Sequence, residues 1–71
     1  MKGDNSARQD VAKQLREARR SQGMTQETLA ELVGTQKSNI SRLESGRYNP
    51  SLDFLVKIAG GLGKQIQVKV K

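Results

Sequence analysis

The sequence predicts an all-α fold, a compact domain of four helices followed by one short C-terminal β-strand. Apolar residues recur at helical spacing in four segments, and a glycine follows each segment, at positions 23, 34, 46 and 63. Glycine commonly ends helices because it enters the left-handed region without a Cβ penalty. After the last of these glycines the apolar period changes to two, which is typical of a half-buried strand.

The first helix is expected to follow a flexible N-terminus of residues 1–5. Ser6 and Gln9 fit a capping box, so the helix should begin there and continue to about Gln22. Its apolar stripe at helical spacing consists of Val11, Leu15 and Ala18. The domain that the four helices form is expected to span residues 6–63.

Residues 26–45 predict two short helices joined by a tight turn. Gly34 should end the first helix, and Thr35 can cap the second by accepting an exposed amide. The apolar positions are Leu29, Ala30, Leu32 and Val33 in the first helix, and Ile40 and Leu43 in the second. Ala30 is small where the helices must cross. This pattern indicates a helix-turn-helix, whose second helix enters the major groove of DNA.

The fourth helix is expected to be capped by Asn49 or Ser51, with Pro50 in its first turn. Its apolar face comprises Leu52, Leu55, Ile58, Ala59 and Leu62. Residues 64–71 then form a candidate dimerisation or partner-binding strand, with an apolar face of Ile66, Val68 and Val70. Since no other strand is predicted, we expect it to pair with a second copy or a partner; fraying is the alternative.

The amino-acid composition excludes several classes of function. The chain has 71 residues, no cysteine, no histidine and a formal net charge of +6. The missing residue types exclude disulfides, imidazole or thiolate metal sites and His- or Cys-based catalysis. A small basic domain is commonly a polyanion binder. The seven carboxylates accompany no nucleophile and base, so neither an enzyme, a metal site nor a cofactor is predicted. No apolar run suits a signal peptide or membrane span, and we expect a cytoplasmic protein.

The stretch from Thr25 to Pro50 resembles the helix-turn-helix of phage repressor and Cro proteins, the Xre-type family. The matching residues are Thr25, Gln26, Leu29, Ala30, Gly34, Ile40, Ser41, Leu43, Glu44, Gly46 and Pro50. The resemblance covers about residues 7 to 62 and implies double-stranded DNA as the partner. It also implies that Arg19 and Glu44 form a structural ion pair. A helical hairpin that binds nothing is the alternative.

The second helix of the motif is expected to read bases with the residues that face away from Ile40 and Leu43. These are Gln36, Lys37, Ser38, Ser41 and Arg42, and the resemblance implies all of them except Ser41. Lys37 and Arg42 suit guanine, and Gln36 suits adenine. Contact with phosphate alone is the alternative for Lys37 and Arg42.

Phosphate contacts are expected at the first turn of the motif's first helix, where free amides and the helix dipole attract anions. Thr25 and Gln26 are the residues predicted there. At or beyond the other end of the motif's second helix, the adjoining DNA strand is expected to be contacted by Asn39, Arg47 and Tyr48. Tyr48 can instead pack over the edge of the domain.

The sequence therefore predicts a transcriptional repressor that binds a two-fold operator as a homodimer. The alternative is an antitoxin that binds a toxin protein through residues 64–71 and represses its own operon. A role at a membrane is disfavoured, since no helix combines a cationic face with large exposed apolar residues.

Overall fold

A computed structural model describes residues 3–47 and 49–67, with side chains described from residue 7 onward. The chain forms α1 (Gly3–Ser21), α2 (Gln26–Val33), α3 (Lys37–Glu44) and α4 (Leu52–Gly61). The predicted all-α fold of four helices is confirmed. Residues 64–67 have no regular secondary structure, and the rest of the predicted strand, with Val68 and Val70, lies outside the described residues.

The core forms where α2 packs against α3 and α4, while α1 packs against α3. The largest fully buried side chains come one from each of α2, α3 and α4, and they are Leu29, Ile40 and Ile58. The cluster is completed by Leu15, Ala30, Val33, Leu43 and Leu62. Isolated helices of eight to ten residues, the length of α2, α3 and α4, are only marginally stable in water. The burial of these apolar side chains is therefore the main force that stabilises the helices.

Two apolar residues that were expected on inner faces are exposed. Leu32 retains 57% of its accessible surface and Leu52 retains 56%. In α4 the buried residues, Ile58 and Ala59, lie in its second half, so Leu52 at its first position falls beyond the core. In α2 the contacts with the core are made by Leu29, Ala30 and Val33, which leaves Leu32 at the edge.

Three predicted helix starts need correction. α1 begins at Gly3, so Ser6 lies inside the helix instead of capping it, and flexibility of residues 1–5 stays a prediction. α3 begins at Lys37 with Gln36 at its N-cap and without a side-chain cap, so Thr35 does not accept the expected amide. Ser51 caps α4 by accepting a hydrogen bond from the amide of Phe54 at 3.1 Å, which places Pro50 before the helix.

Gly61 lets α4 approach α2 closely. A Cβ added to Gly61 would overlap Cγ1 of Val33 and would lie 3.6 Å from Leu29 Cδ1. A side chain here would therefore push the two helices apart, and packed interiors resist such displacement. The neighbouring Gly60 has no atom within 4 Å of the same hypothetical position.

A groove of about 650 Å³ lies between α1 and the segment that follows α4. Val11 and Leu15 line one side, and the half-buried Ile66 lines the other. Among the described residues, no helix has the length and apolarity needed to cross a bilayer. The described part of the chain likewise contains no cluster of His, Cys, Asp or Glu that could hold a metal ion.

Candidate nucleic-acid interface

The turn between α2 and α3 fixes how α3 is presented. Gly34 adopts φ 77°, in the left-handed region, and the amide of Thr35 donates to the carbonyl of Ala30 at 2.9 Å. These bonds satisfy carbonyls at the end of α2 that would otherwise lack partners. Only three residues, 34–36, separate the end of α2 from the start of α3.

The face of α3 that points away from the core contains every residue predicted to read bases. All five are exposed, while Ile40 and Leu43 on the other side are 0% and 3% exposed: Gln36, Lys37, Ser38, Ser41 and Arg42. Each of the five can donate hydrogen bonds, and none carries a negative charge. The surface is suited to the acceptor-rich edges of base pairs in a major groove.

The charge around α3 has one sign. From Gln36 to Arg47 the exposed charged side chains are Lys37, Arg42 and Arg47. The one carboxylate in this stretch, Glu44, is 6% exposed and paired with an arginine. The exposed side of α3 is therefore cationic without local compensation, as expected for a surface that contacts phosphates.

Of the residues predicted to contact phosphate, three already have hydrogen-bond partners within the protein. Thr25 is exposed and caps α2, since its hydroxyl accepts from the amide of Thr28 at 3.0 Å. Gln26 donates through Nε2 to Glu44 Oε1 at 3.1 Å. Asn39 donates through Nδ2 to Thr35 Oγ1 at 2.9 Å.

Arg47 and Tyr48 were expected to contact the adjoining DNA strand. Arg47 follows α3 and is exposed, so its guanidinium is available to a ligand. Tyr48 lies outside the described residues. At the other end of the surface, the first turn of α2 includes the exposed Glu27, whose negative charge opposes the attraction of phosphate there.

Arg19 and Glu44 form a buried ion pair that joins α1 to the end of α3. Arg19 donates from Nε to Glu44 Oε2 at 2.6 Å and from Nη2 to Oε1 at 2.9 Å. The two side chains are 8% and 5% exposed. The third guanidinium nitrogen, Nη1, donates to the carbonyl of Met24 at 2.6 Å, just before α2. One arginine thus connects three helices at the base of the interface.

Two further side chains complete this network. Gln26 donates to Glu44, as described above, and Arg16 donates from Nη1 to the backbone carbonyl of Glu44 at 3.1 Å. No role for Arg16 was predicted from the sequence. The spacing of three between Arg16 and Arg19 could have indicated a shared helix face.

The network changes the pKa of both members of the pair. Burial alone would raise the pKa of the Glu44 carboxyl, but hydrogen bonds from Arg19 and Gln26 and the charges of Arg19 and Arg16 outweigh burial and hold this pKa below its usual value. The hydrogen bond to Glu44 raises the pKa of Arg19. Both groups are therefore charged at neutral pH.

Comparison with known families gives one match that spans most of the chain. The helix-turn-helix family model, HTH_3, matches residues 15–69. This range includes α2, α3 and α4, and it begins inside α1.

Two curated relatives and one solved structure are similar to this chain. An uncharacterised HTH-type transcriptional regulator of Methanothermobacter thermautotrophicus is 49% identical over 51 residues, which are 72% of this chain and 74% of that protein. The immunity repressor protein of Bacillus phage phi105 is 37% identical over 60 residues, which are 84% of this chain but only 42% of that repressor. A structure described as a toxin-antitoxin module from Streptococcus pneumoniae has a TM-score of 0.74 and 34% identity, covering 92% of this chain and 71% of its own.

Proposed function

Because the chain belongs to the helix-turn-helix (HTH_3) family, we propose that it is a sequence-specific double-stranded DNA-binding regulator that represses transcription as a homodimer on a two-fold operator. The observation that supports this most is the exposed face of α3, which is cationic, rich in hydrogen-bond donors and free of exposed carboxylates. The similarity to a phage immunity repressor favours repression over activation. A DNA-binding role also agrees with the expected cytoplasmic location.

In this proposal α3 lies in the major groove and divides its contacts by type. Lys37 and Arg42 donate to guanine O6 and N7, and Gln36 donates to and accepts from adenine, while the serines Ser38 and Ser41 contact either kind of base. Contacts of this type distinguish one sequence from another, since the major groove presents a different pattern for each base pair.

Phosphate contacts then fix the position of the domain on the duplex. We assign them to the first turn of α2, with Thr25 and Gln26, and to Asn39, Arg47 and Tyr48 around α3. Arg47 has the strongest support because its side chain is exposed and cationic. Gln26 and Asn39 keep one amide oxygen or hydrogen for DNA while their other bonds hold the motif together.

The buried Arg19–Glu44 pair holds this surface in shape without touching DNA. It joins α1, Met24 in the turn before α2 and the end of α3 through four hydrogen bonds from the side chains of Arg19 and Gln26. We assign it a structural role, and we assign no catalytic residue, metal or cofactor. The protein is proposed to act by binding and not as an enzyme.

An unbiased selection of bound DNA tests the proposal directly. Random duplexes are equilibrated with the full chain at about physiological salt, and bound molecules are sequenced after several rounds. We expect an enriched half-site, repeated as an inverted copy about 34 Å away, which is one helical turn, or a multiple of it. Recovery of unenriched random sequence would contradict sequence-specific binding.

A second function is favoured by one observation, the similarity to a structure described as a toxin-antitoxin module. In that case the chain is an antitoxin that binds a toxin protein, with Ile66, Val68 and Val70 as the candidate contact. A toxin gene next to this one, whose expression stops growth unless this chain is co-expressed, would support this function. It is compatible with repression, because such an antitoxin can bind its own operator.

A further inference from the structure

The outer face of α4 carries two exposed apolar side chains separated by one helical turn. Leu52 and Val56 retain 56% and 53% of their accessible surface. Residues four apart lie on the same face of a helix, so the two side chains are neighbours. Neither contributes to the core or to the exposed face of α3. Exposed large apolar residues that adjoin each other often mark an association surface.

Two opposite charges accompany this apolar pair. Asp53 and Lys57 are exposed, and each directly follows one of the apolar residues, so they form a parallel row on the same side of α4. Within the described residues the ion pair is Arg19–Glu44, and neither Asp53 nor Lys57 takes part in one. The outer face therefore presents an apolar row beside a row with one negative and one positive end.

We propose that this outer face of α4, formed by Leu52, Asp53, Val56 and Lys57, is the surface through which two copies of the chain associate, with their α4 helices antiparallel across a two-fold axis. This inference rests on the proposed function, because the α4 surface is offered as the interface of the homodimer that binds the two-fold operator. The partner is identified as a second copy because the pattern is complementary to itself.

The complementarity follows from helix geometry. A two-fold axis level with Phe54 places Leu52 opposite Val56 of the second copy, because both are two residues from the axis. Asp53 then lies within about 3 Å, measured along the helix, of Lys57 of the second copy, since each residue rises about 1.5 Å. The symmetry repeats both contacts, as in any isologous interface. A parallel arrangement would instead place Asp53 level with Asp53 and Lys57 level with Lys57, on opposite sides of the contact, so no opposite charges would meet.

The contact is small, and this determines its strength. Stable complexes bury about 1,200–2,000 Å² in total, whereas a helix of ten residues presents only a few side chains on one face. Association in free solution is therefore weak. Two adjacent half-sites on one duplex would strengthen the association, because two copies bound to the same DNA have a high effective concentration for each other.

Charge exchange tests the surface without DNA. Sedimentation velocity of the full chain at about physiological salt is compared for wild type, Asp53→Lys, Lys57→Asp and the double variant that carries both changes. Each single variant puts like charges together at two symmetric positions, and we expect dimerisation about tenfold weaker. The double variant restores opposite charges and should associate nearly as well as wild type.

The two single variants also separate this interface from general repulsion between basic chains. Asp53→Lys raises the formal net charge of +6 by two, whereas Lys57→Asp lowers it by two. General repulsion would weaken one variant and strengthen the other, which would overturn the proposal. Absence of wild-type association up to about 1 mM would overturn it as well. Melting curves by circular dichroism show whether each variant is folded.

An apolar substitution provides a second measurement with a matched control. Val56→Ser should abolish association, whereas Leu32→Ser, which removes an equally exposed leucine from α2, should leave it unchanged. A double change of Val68 and Val70 to serine should also leave it unchanged; loss of the dimer there would move the interface to the C-terminal segment and overturn the proposal for α4.

Binding to a duplex with a single half-site keeps this result distinct from the proposed function. The charge-exchanged variants should bind one half-site as wild type does, because α3 is unchanged in them. Failure of wild type to bind any duplex would count against the proposed function and would leave the association result intact.

Discussion

At the scale of single residues, the buried Arg19–Glu44 pair connects the interface to the rest of the domain. Glu44→Gln leaves the guanidinium of Arg19 buried with a neutral partner, so we expect the free energy of unfolding to fall by about 3 to 5 kcal/mol. Chemical denaturation measures this change. A domain this small has little stability to lose, so the variant should be partly unfolded at room temperature.

The matched control removes both charges together. Arg19→Met combined with Glu44→Leu replaces the pair by apolar side chains, and such replacements are often close to neutral. The double variant should therefore lose much less stability than the sum of the losses caused by Arg19→Met alone and Glu44→Leu alone. A loss equal to that sum would mean that the pair contributes little as a pair.

The same carboxyl predicts how stability depends on pH. Because the pKa of Glu44 is lower in the folded protein than in the unfolded chain, the unfolded chain binds the proton first as the pH falls. The contribution is complete above the ordinary carboxyl value of about 4.3 and is lost as the pH drops towards the folded value. Denaturation between about pH 5 and pH 3 should show a shallower decline for Glu44→Gln than for wild type. Parallel declines would exclude Glu44 as the titrating group.

Individual side chains were predictable where they lie on a simple helix face and not where they bond to distant residues. The exposed side of α3 followed from the positions of Ile40 and Leu43. The bonds of Arg16 and Gln26 to Glu44 cross 28 and 18 residues, respectively, and local spacing can indicate a shared helix face but not a partner this far along the chain. The pairing of Arg19 with Glu44 was expected from family resemblance and not from spacing.

At the scale of elements, helix ends with a strong chemical signal were predicted better than those without one. The glycines at 23, 34, 46 and 63 all have positive φ, as the helix stops required. The start of α1 was wrong because residues 3–5 are compatible with a helix and carry no stop signal. Leu52 was misplaced because periodicity gives the face of a helix but not how far along it the neighbouring helix extends.

The close contact between α2 and α4 gives a prediction with an internal control. Gly61→Ala introduces a methyl group that overlaps Val33, so we expect a loss of about 1 to 3 kcal/mol. At Gly60, one residue earlier, the added methyl group would have no atom within 4 Å. Gly60→Ala should therefore stabilise α4 by up to about 1 kcal/mol, because alanine has the higher helix propensity. Thermal unfolding of both variants tests this, and equal effects would contradict the proposed crowding at Gly61.

At the scale of the whole molecule, the net charge of +6 and the cationic side of α3 predict strong dependence on salt. Arg47→Ala should weaken binding to every duplex alike, because we propose that this residue contacts phosphate and not a base. It should also lower the slope of log K against log salt by about 1 per bound chain, since one fewer counterion is released. An unchanged slope in titrations at several salt concentrations would place Arg47 away from DNA.

We propose that the exposed face of α3 reads DNA sequence, and a titration of two duplexes tests this proposal. Lys37→Ala and Arg42→Ala are each measured on the selected duplex and on a scrambled duplex of the same composition, with Arg20→Ala as the control because it removes an exposed cation from α1. We predict that each α3 variant loses about 1 to 3 kcal/mol on the selected duplex, with a much smaller loss on the scrambled one, while the control binds both nearly as wild type does. Equal losses on the two duplexes would contradict the claim and reduce α3 to a contact with phosphate.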